Sequence, residues 1–268
     1  MKFQQIRSAL SVVEFAGVRF LIDPMLAPKN AYPVIPLTCV TGEGNPTTDL
    51  PVALETLFDV DAVIVTHLHF DHFDDAAREA LPKTLVLFAQ SETEAETLRG
   101  WGFRDVRVLR EEGVEFEGVR LYRTECEHGG GDLVTRDAFD AAGFAAEACG
   151  VVFEATERAR KPEAFRFYLA GDTVFCEYVE EAMEKFAPAV IAVNAAGAQY
   201  PKGHPLIMNE YDVLALMRRH PDVTVIATHL DGVSHATVSS ESLRAFARDN
   251  GLEKLRIPAQ GETIGIAA

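Results

Sequence analysis

The chain has no Cys-x-x-Cys pair; its four cysteines, Cys39, Cys126, Cys149 and Cys176, are scattered through 268 residues. That excludes a zinc ribbon and offers no disulfide framework, so a reduced, cytoplasmic setting is the expectation. Positive charge is in short supply, with 25 Lys and Arg against 41 Asp and Glu and a formal net charge of −16. A partner with a long phosphate backbone needs stripes of Lys and Arg, so no nucleic-acid partner is expected. Long hydrophobic runs are missing as well. No stretch approaches a membrane span, and Met1-Lys2-Phe3 opens strand-like sequence rather than the apolar core of a signal peptide, so no membrane partner is expected. There is no low-complexity tract, no long linker and no break in composition, and 48% of the residues are apolar. One domain spanning 1–268 with a sizeable core is the expected organisation.

One stretch departs from this ordinary background. Thr66-His67-Leu68-His69-Phe70-Asp71-His72 packs three imidazoles and a carboxylate into six residues, directly after the apolar Ala62-Val63-Ile64-Val65. His and Asp are poor strand and core residues, so packing does not call for them here. A metal ion does, because imidazole nitrogens and carboxylate oxygens are the ligands that Zn and related divalent ions take. In extended chain, residues two apart point to the same side, so His67 and His69 can face one ion. Asp71 and His72 follow as the chain turns toward a helix near Asp74, and can face a second. Any one of these histidines alone would ordinarily be a satisfied surface or core residue; their density decides for metal.

The rest of the chain alternates strands and helices. Ser11–Phe15 and Val18–Ile22 read as a hairpin that ends at Asp23-Pro24. Residues 25–51, rich in Pro, Gly, Asn and Thr, read as a long loop that either lines a substrate cleft or packs passively. Met25, Leu26, Tyr32, Val34 and Ile35 give it an apolar character suited to a partner subunit, which leaves a homo-oligomer open. Strands are expected at 61–66, 85–88, 106–109, 119–124, 150–155 and 165–170, and helices at 74–81 and 91–99. Ser91 caps the second helix, with Glu94 in the capping-box position. Residues 132–148 are ambiguous, with a helical flap as one reading. Further on, 175–186 and 209–219 read as helices, 190–193 and 223–228 as strands, and Ser239 caps a last helix reaching about Asn250. Composition and periodicity alone give α/β or α+β.

Further ligand candidates sit after strands. His128 lies in Glu127-His128-Gly129-Gly130-Gly131, where glycines let the backbone approach closely; its ordinary role would be an exposed loop histidine. Asp172, in Gly171-Asp172-Thr173, is either a helix N-cap or a carboxylate ligand at a strand end. His229 follows Val225-Ile226-Ala227-Thr228. Asp23 either makes a turn before Pro24 or orients a neighbour from behind. His220 reads as a helix end and His204 as part of a surface loop. His235, six residues after His229, either serves a leaving group or makes a structural hydrogen bond.

The His-x-His-x-Asp-His run, with these later candidates in order, resembles the metallo-β-lactamase superfamily over most of the chain. The resemblance implies an α+β fold, the four-layer αββα sandwich. It implies His67, His69 and His128 on one ion, Asp71, His72 and His229 on the other, Asp172 bridging them, and Asp23 as the buried acid behind a ligand. Two divalent ions, Zn by default with Mn, Fe or Ni open, would then supply hydroxide to attack a small-molecule ester, lactone or phosphoester. In that mechanism Asp71 is a ligand that also accepts a hydrogen bond from the attacking water, and His235 is the candidate proton donor. Cys126-Glu127-His128-Gly129-Gly130-Gly131 departs from the Gly-His-Thr-Pro-Gly-His type of segment in thioester- and β-lactam-cleaving branches. Leu21-Ile22-Asp23-Pro24, Ala170-Gly171-Asp172-Thr173 and Thr228-His229-Leu230-Asp231 followed by His235 are similar to the bacterial ascorbate-phosphate lactonase-like branch. The competing class is a mono-iron oxidoreductase of the same fold, such as a persulfide dioxygenase; His72 and His229, at the second site, weigh against it.

Overall fold

Seven short strands form each of two mixed sheets in the computed structural model, which describes residues 1–34, 42, 44–129, 133–143, 146–200 and 202–267. In the first sheet β1 (Lys2–Arg7), β2 (Leu10–Phe15) and β3 (Val18–Ile22) run as an antiparallel meander. The chain then returns in parallel through β4 (Ala62–Val65), β5 (Val86–Ala89) and β6 (Asp105–Val108). The second sheet opens with antiparallel β7 (Val114–Phe116), β8 (Val119–Glu125) and β9 (Cys149–Ala155). It continues through β10 (Phe167–Leu169) into parallel β11 (Val190–Asn194), β12 (Thr224–Thr228) and β13 (Leu255–Arg256). The last strand, β14 (Thr263–Gly265), crosses back and pairs with β1.

Side-chain alternation builds the layers. In β4, Ala62 and Ile64 face the other sheet while Val63 and Val65 face outward, and all four are buried. Such strands, covered on both faces, are what parallel sheets require. Between the sheets lies an aromatic layer in which Phe20 meets Phe153 at 5.3 Å between ring centres and Phe153 meets Phe167 at 5.2 Å. Outside the first sheet, α1 (Asp75–Ala80) and α2 (Glu92–Gly100) cover Val63, Val65 and Leu87. Outside the second, α4 (Glu177–Phe186), α5 (Glu210–Arg219) and α6 (Ser240–Asn250) cover Ile191, Val193 and Val225. This is the expected αββα sandwich. Between β8 and β9 stands α3 (Leu133–Ala142), the helical flap, with Leu133 and Val134 exposed. No described helix is long and apolar enough to cross a membrane.

Several expectations need correcting. The expected hairpin is present as β2 and β3, but β1 pairs antiparallel with β2 and extends it to a three-stranded meander. Met25 and Leu26, expected at the surface of the long loop, are buried. The Arg7 guanidinium beneath them gathers the carbonyls of Met25, Ala27 and Thr48, folding this segment onto the sandwich. Their apolar character therefore serves the core and supplies no argument for a partner subunit. Ile35, Cys39, Gly130, Gly131, Asp132 and Pro201 lie outside the described residues.

Candidate metal centre

Parallel strands bring their carboxyl ends to one edge of the sandwich, where open α/β sheets place ligands. Here the two sheets are also pinned together. The amide of Cys149 donates to the Thr66 carbonyl at 3.2 Å, and that of His229 to the Ser8 carbonyl at 2.9 Å. Ser8, Asp23, His229 and Asp231 all have left-handed backbones, with φ between 46° and 65°. Non-glycine residues adopt this region only where surroundings impose it, and such strain gathers at functional sites. Gly171 has φ +70°, and a Cβ there would sit 2.4 Å from the Cys149 carbonyl oxygen, so the turn presenting Asp172 requires glycine.

At this edge three groups of donor atoms converge, each within 4.8 Å: His67, His69 and His128; His67, His72 and Asp172; and Asp71, His72 and His229. The first and third are the two sets that the sequence resemblance implied. Asp172 lies between them, its Oδ2 3.2 Å from His72 Nε2, 3.7 Å from His128 Nε2 and 3.9 Å from His67 Nε2. Its other oxygen accepts from Asn194 Nδ2 at 2.5 Å, which leaves Oδ2 turned toward the imidazoles.

The hydrogen bonds behind the imidazoles aim their lone pairs inward. His128 Nδ1 faces the Leu206 carbonyl at 2.9 Å; a carbonyl only accepts, so Nδ1 carries the proton and Nε2 is bare. His72 Nδ1 donates to Asp23 Oδ2 at 2.9 Å. Thr66 spends its hydroxyl proton on Asp23 at 2.8 Å and so accepts from His67 Nδ1 at 3.1 Å. His229 Nδ1 rests on Ser8 Oγ at 3.1 Å. The ring nitrogens then crowd together: His229 and His72 Nε2 are 3.2 Å apart, and His128 Nε2 is 3.3 Å from His69 Nδ1. Among the described residues, buried His67 Nε2 has no hydrogen-bond partner. Ring nitrogens crowded this closely in a buried site fit bound cations.

Electrostatics agree. Burial and the neighbouring imidazoles of His72 and His69 hold His67 well below the usual histidine range, so it is neutral, the form that can bind metal. His128 is lowered too, chiefly by burial. Burial opposes charge on His72, yet Asp172 and Asp23 hold it well above that range. Burial also opposes charge on Asp71 and Asp172, but the surrounding imidazoles keep both carboxyls well below the usual carboxylate range. Carboxylates this deep need positive charge nearby, from protons or from metal.

The structure brings together all seven candidate ligands and both supporting residues. Asp23 does what both readings foresaw: its backbone turns at Met25, and its carboxylate binds Thr66 and His72. His235 is buried, its Nε2 3.1 Å from Asp71 Oδ2. His220 caps the end of α5 and pairs with Glu180, away from the cluster, and His204 is exposed. The 25–51 loop reaches the site: Tyr32 stacks edgewise on Phe70 at 5.6 Å, and Thr47 and Asn45 hold the 231–234 backbone.

A sequence family described as "Beta-lactamase superfamily domain" matches residues 18–230. The chain belongs to that superfamily. One member, "UPF0173 protein YddR" of Bacillus subtilis (strain 168), is 37% identical over 98% of this chain and 99% of its own length. Among solved structures, the isothiocyanate hydrolase from Delia radicum gut bacteria is 36% identical, covers all of both chains and superposes with a TM-score of 0.91. A possible metal-dependent hydrolase from Veillonella parvula DSM 2008 is 35% identical over 99% of both chains, also with a TM-score of 0.91. With these relatives and this donor set, the superfamily member described here is a metal-dependent hydrolase.

Four residues of this superfamily site escaped sequence reasoning in their roles: Ser8, Thr66, Glu94 and Asn194. Asn194 had a usable signal, since it ends a strand as His67, Asp172 and His229 follow theirs.

Proposed function

We propose that this hydrolase holds two divalent ions, Zn by default, and uses them to add water to the electrophilic carbon of a small molecule. The observation that carries the reading is Asp172 Oδ2, which lies within reach of imidazoles from both ligand triads. When bound, two such ions acidify water and polarise the electrophile. The rest falls to the protein. Asp71 Oδ2 accepts a hydrogen bond from the attacking water. His235 Nε2, 3.1 Å from Asp71, is the proton donor to the leaving atom. Tyr32 and Phe70 present an aromatic edge beside the ligands, suited to an apolar substituent.

An isothiocyanate is the first substrate to test, supported by the full-length relative named for that activity. Water adds to the central carbon, the proton passes to nitrogen, and the thiocarbamate breaks down to an amine and carbonyl sulfide. Lactones form a second reading, supported by the strand-end segments around Asp23, Asp172 and His229 that are similar to the lactonase-like branch.

Metal content by mass spectrometry, on protein purified without added metal, tests the centre. About two equivalents of Zn or Mn in the wild type, falling toward one in His229→Ala, are expected. Release of amine from aryl and alkyl isothiocyanates tests the substrate. A single iron, unchanged by His229→Ala, would overturn the reading in favour of a mono-iron oxidoreductase.

A further inference from the structure

Beyond β4 the chain has left the sheet, and among the described contacts the Leu68 amide is held by a side chain. It donates to Glu94 Oε1 at 3.2 Å. Leu68 stands between His67 and His69, so the orientation of its peptide sets how both imidazoles project. Glu94 is itself held. Gln90 Nε2 donates to the same Oε1 at 2.9 Å and, with its other proton, to the Glu147 carbonyl at 2.9 Å. The carboxylate thus ties the metal-binding loop to the end of β5, the start of α2 and the approach to β9 in the other sheet. A capping-box glutamate would instead turn back to the amide of its own N-cap. Ser91 does accept from the Glu94 amide, but the Glu94 side chain is diverted to Leu68. Its second oxygen is buried without a hydrogen-bond partner among the described residues. Helix capping alone does not account for a side chain placed this way.

We infer that Glu94, aligned by Gln90, is a positioning residue for one ion only, the one expected at His67, His69 and His128. This rests on the two-ion reading. Asp71 and His72 lie in the turn beyond, where the amides of His72 and Phe73 bond to the His69 carbonyl, and His229 follows β12 in the other sheet.

Zinc affinity, measured by competition with a chromophoric chelator, tests this in two backgrounds that each keep one site. In His229→Ala, adding Glu94→Ala is expected to weaken the remaining ion about 10- to 100-fold, the usual cost of losing support behind a ligand. In His128→Ala, adding Glu94→Ala is expected to leave the remaining ion nearly unchanged. Glu94→Gln keeps an acceptor for Leu68 and is expected to restore affinity in the first background. Equal weakening in both backgrounds would mean a general structural role, and no weakening in either would mean none; each overturns the inference. If Glu94→Ala does not fold, Gln90→Ala replaces it and is expected to weaken the same ion in the same direction. If wild-type protein holds one ion, the two-ion reading fails. The inference is then decided on that ion: it stands if His128→Ala and Glu94→Ala both weaken it, and falls if Glu94→Ala does not.

Discussion

Glu94 also shows what burial does to a single residue. Its pKa is pushed up from 4.5 to about 7, first by burial, against the bonds from Gln90 and Leu68, with Asp23 and Glu147 adding repulsion. A carboxyl raised in the fold favours the protonated folded state. Its full contribution is therefore present below pH 4.5, and is lost as pH rises toward 7. With each pKa unit worth 1.36 kcal/mol, the loss is roughly 3 kcal/mol. Glu94→Gln cannot ionise. In metal-free protein, where no cation draws the carboxyl back to its charged form, the stability of Glu94→Gln relative to wild type is expected to climb between pH 5 and 7 and then level off. Urea denaturation across that range checks it; a difference independent of pH would show that Glu94 titrates normally. The candidate ligands were legible at this scale because four ligand-type residues crowd six positions. Their supports were not, because Ser8 meets His229 across 221 positions and Asp23 meets His72 across 49, distances over which no local pattern speaks.

At the scale of elements, long and strongly patterned segments were legible and short ones were not. β4, α4 and α5 lie where apolar periodicity puts them, whereas β7 has three residues and β13 two, too few to display a period. The loop after β3 was misjudged for a physical reason. Its apolar residues were assigned to the surface, but Arg7, fully buried, holds the loop's first turn inward by three carbonyls. Burial pulls Arg7 down to about 10 against the attraction of Asp74 and Asp49, so it stays charged at neutral pH. Replacing it by leucine strands those carbonyls, and an unsatisfied buried group costs about 1–3 kcal/mol. Arg7→Leu is expected to cost about 3–5 kcal/mol in all, seen as a lower urea midpoint, with earlier proteolytic cutting within 25–51. An unchanged midpoint would mean that the loop is held by its contacts to 231–234 instead.

The whole molecule joins two sheets through one site. His67, His69, Asp71 and His72 follow a strand of the first sheet, while His128, Asp172 and His229 follow strands of the second. Each triad spans both sheets, as His128 joins His67 and His69, and His229 joins Asp71 and His72. A bound ion is therefore a crosslink between the halves of the sandwich, and it relieves repulsion among buried carboxylates in a chain of net charge −16. A ligand that binds only the folded state stabilises it by about 2.7 kcal/mol at one hundred times its Kd. Two ions would then contribute about 5 kcal/mol, or a Tm shift of about 10 °C or more at this chain length. Chelation is expected to lower Tm by that order, and zinc to restore it in proportion to the logarithm of its concentration. Because the crosslink spans both sheets, far-UV circular dichroism and the fluorescence of Trp101, which packs with the α2 side of the first sheet, should fall together. If Trp101 melted apart from the rest on chelation, the ions would be holding one sheet alone. The joining of the sheets by the two triads would then be wrong.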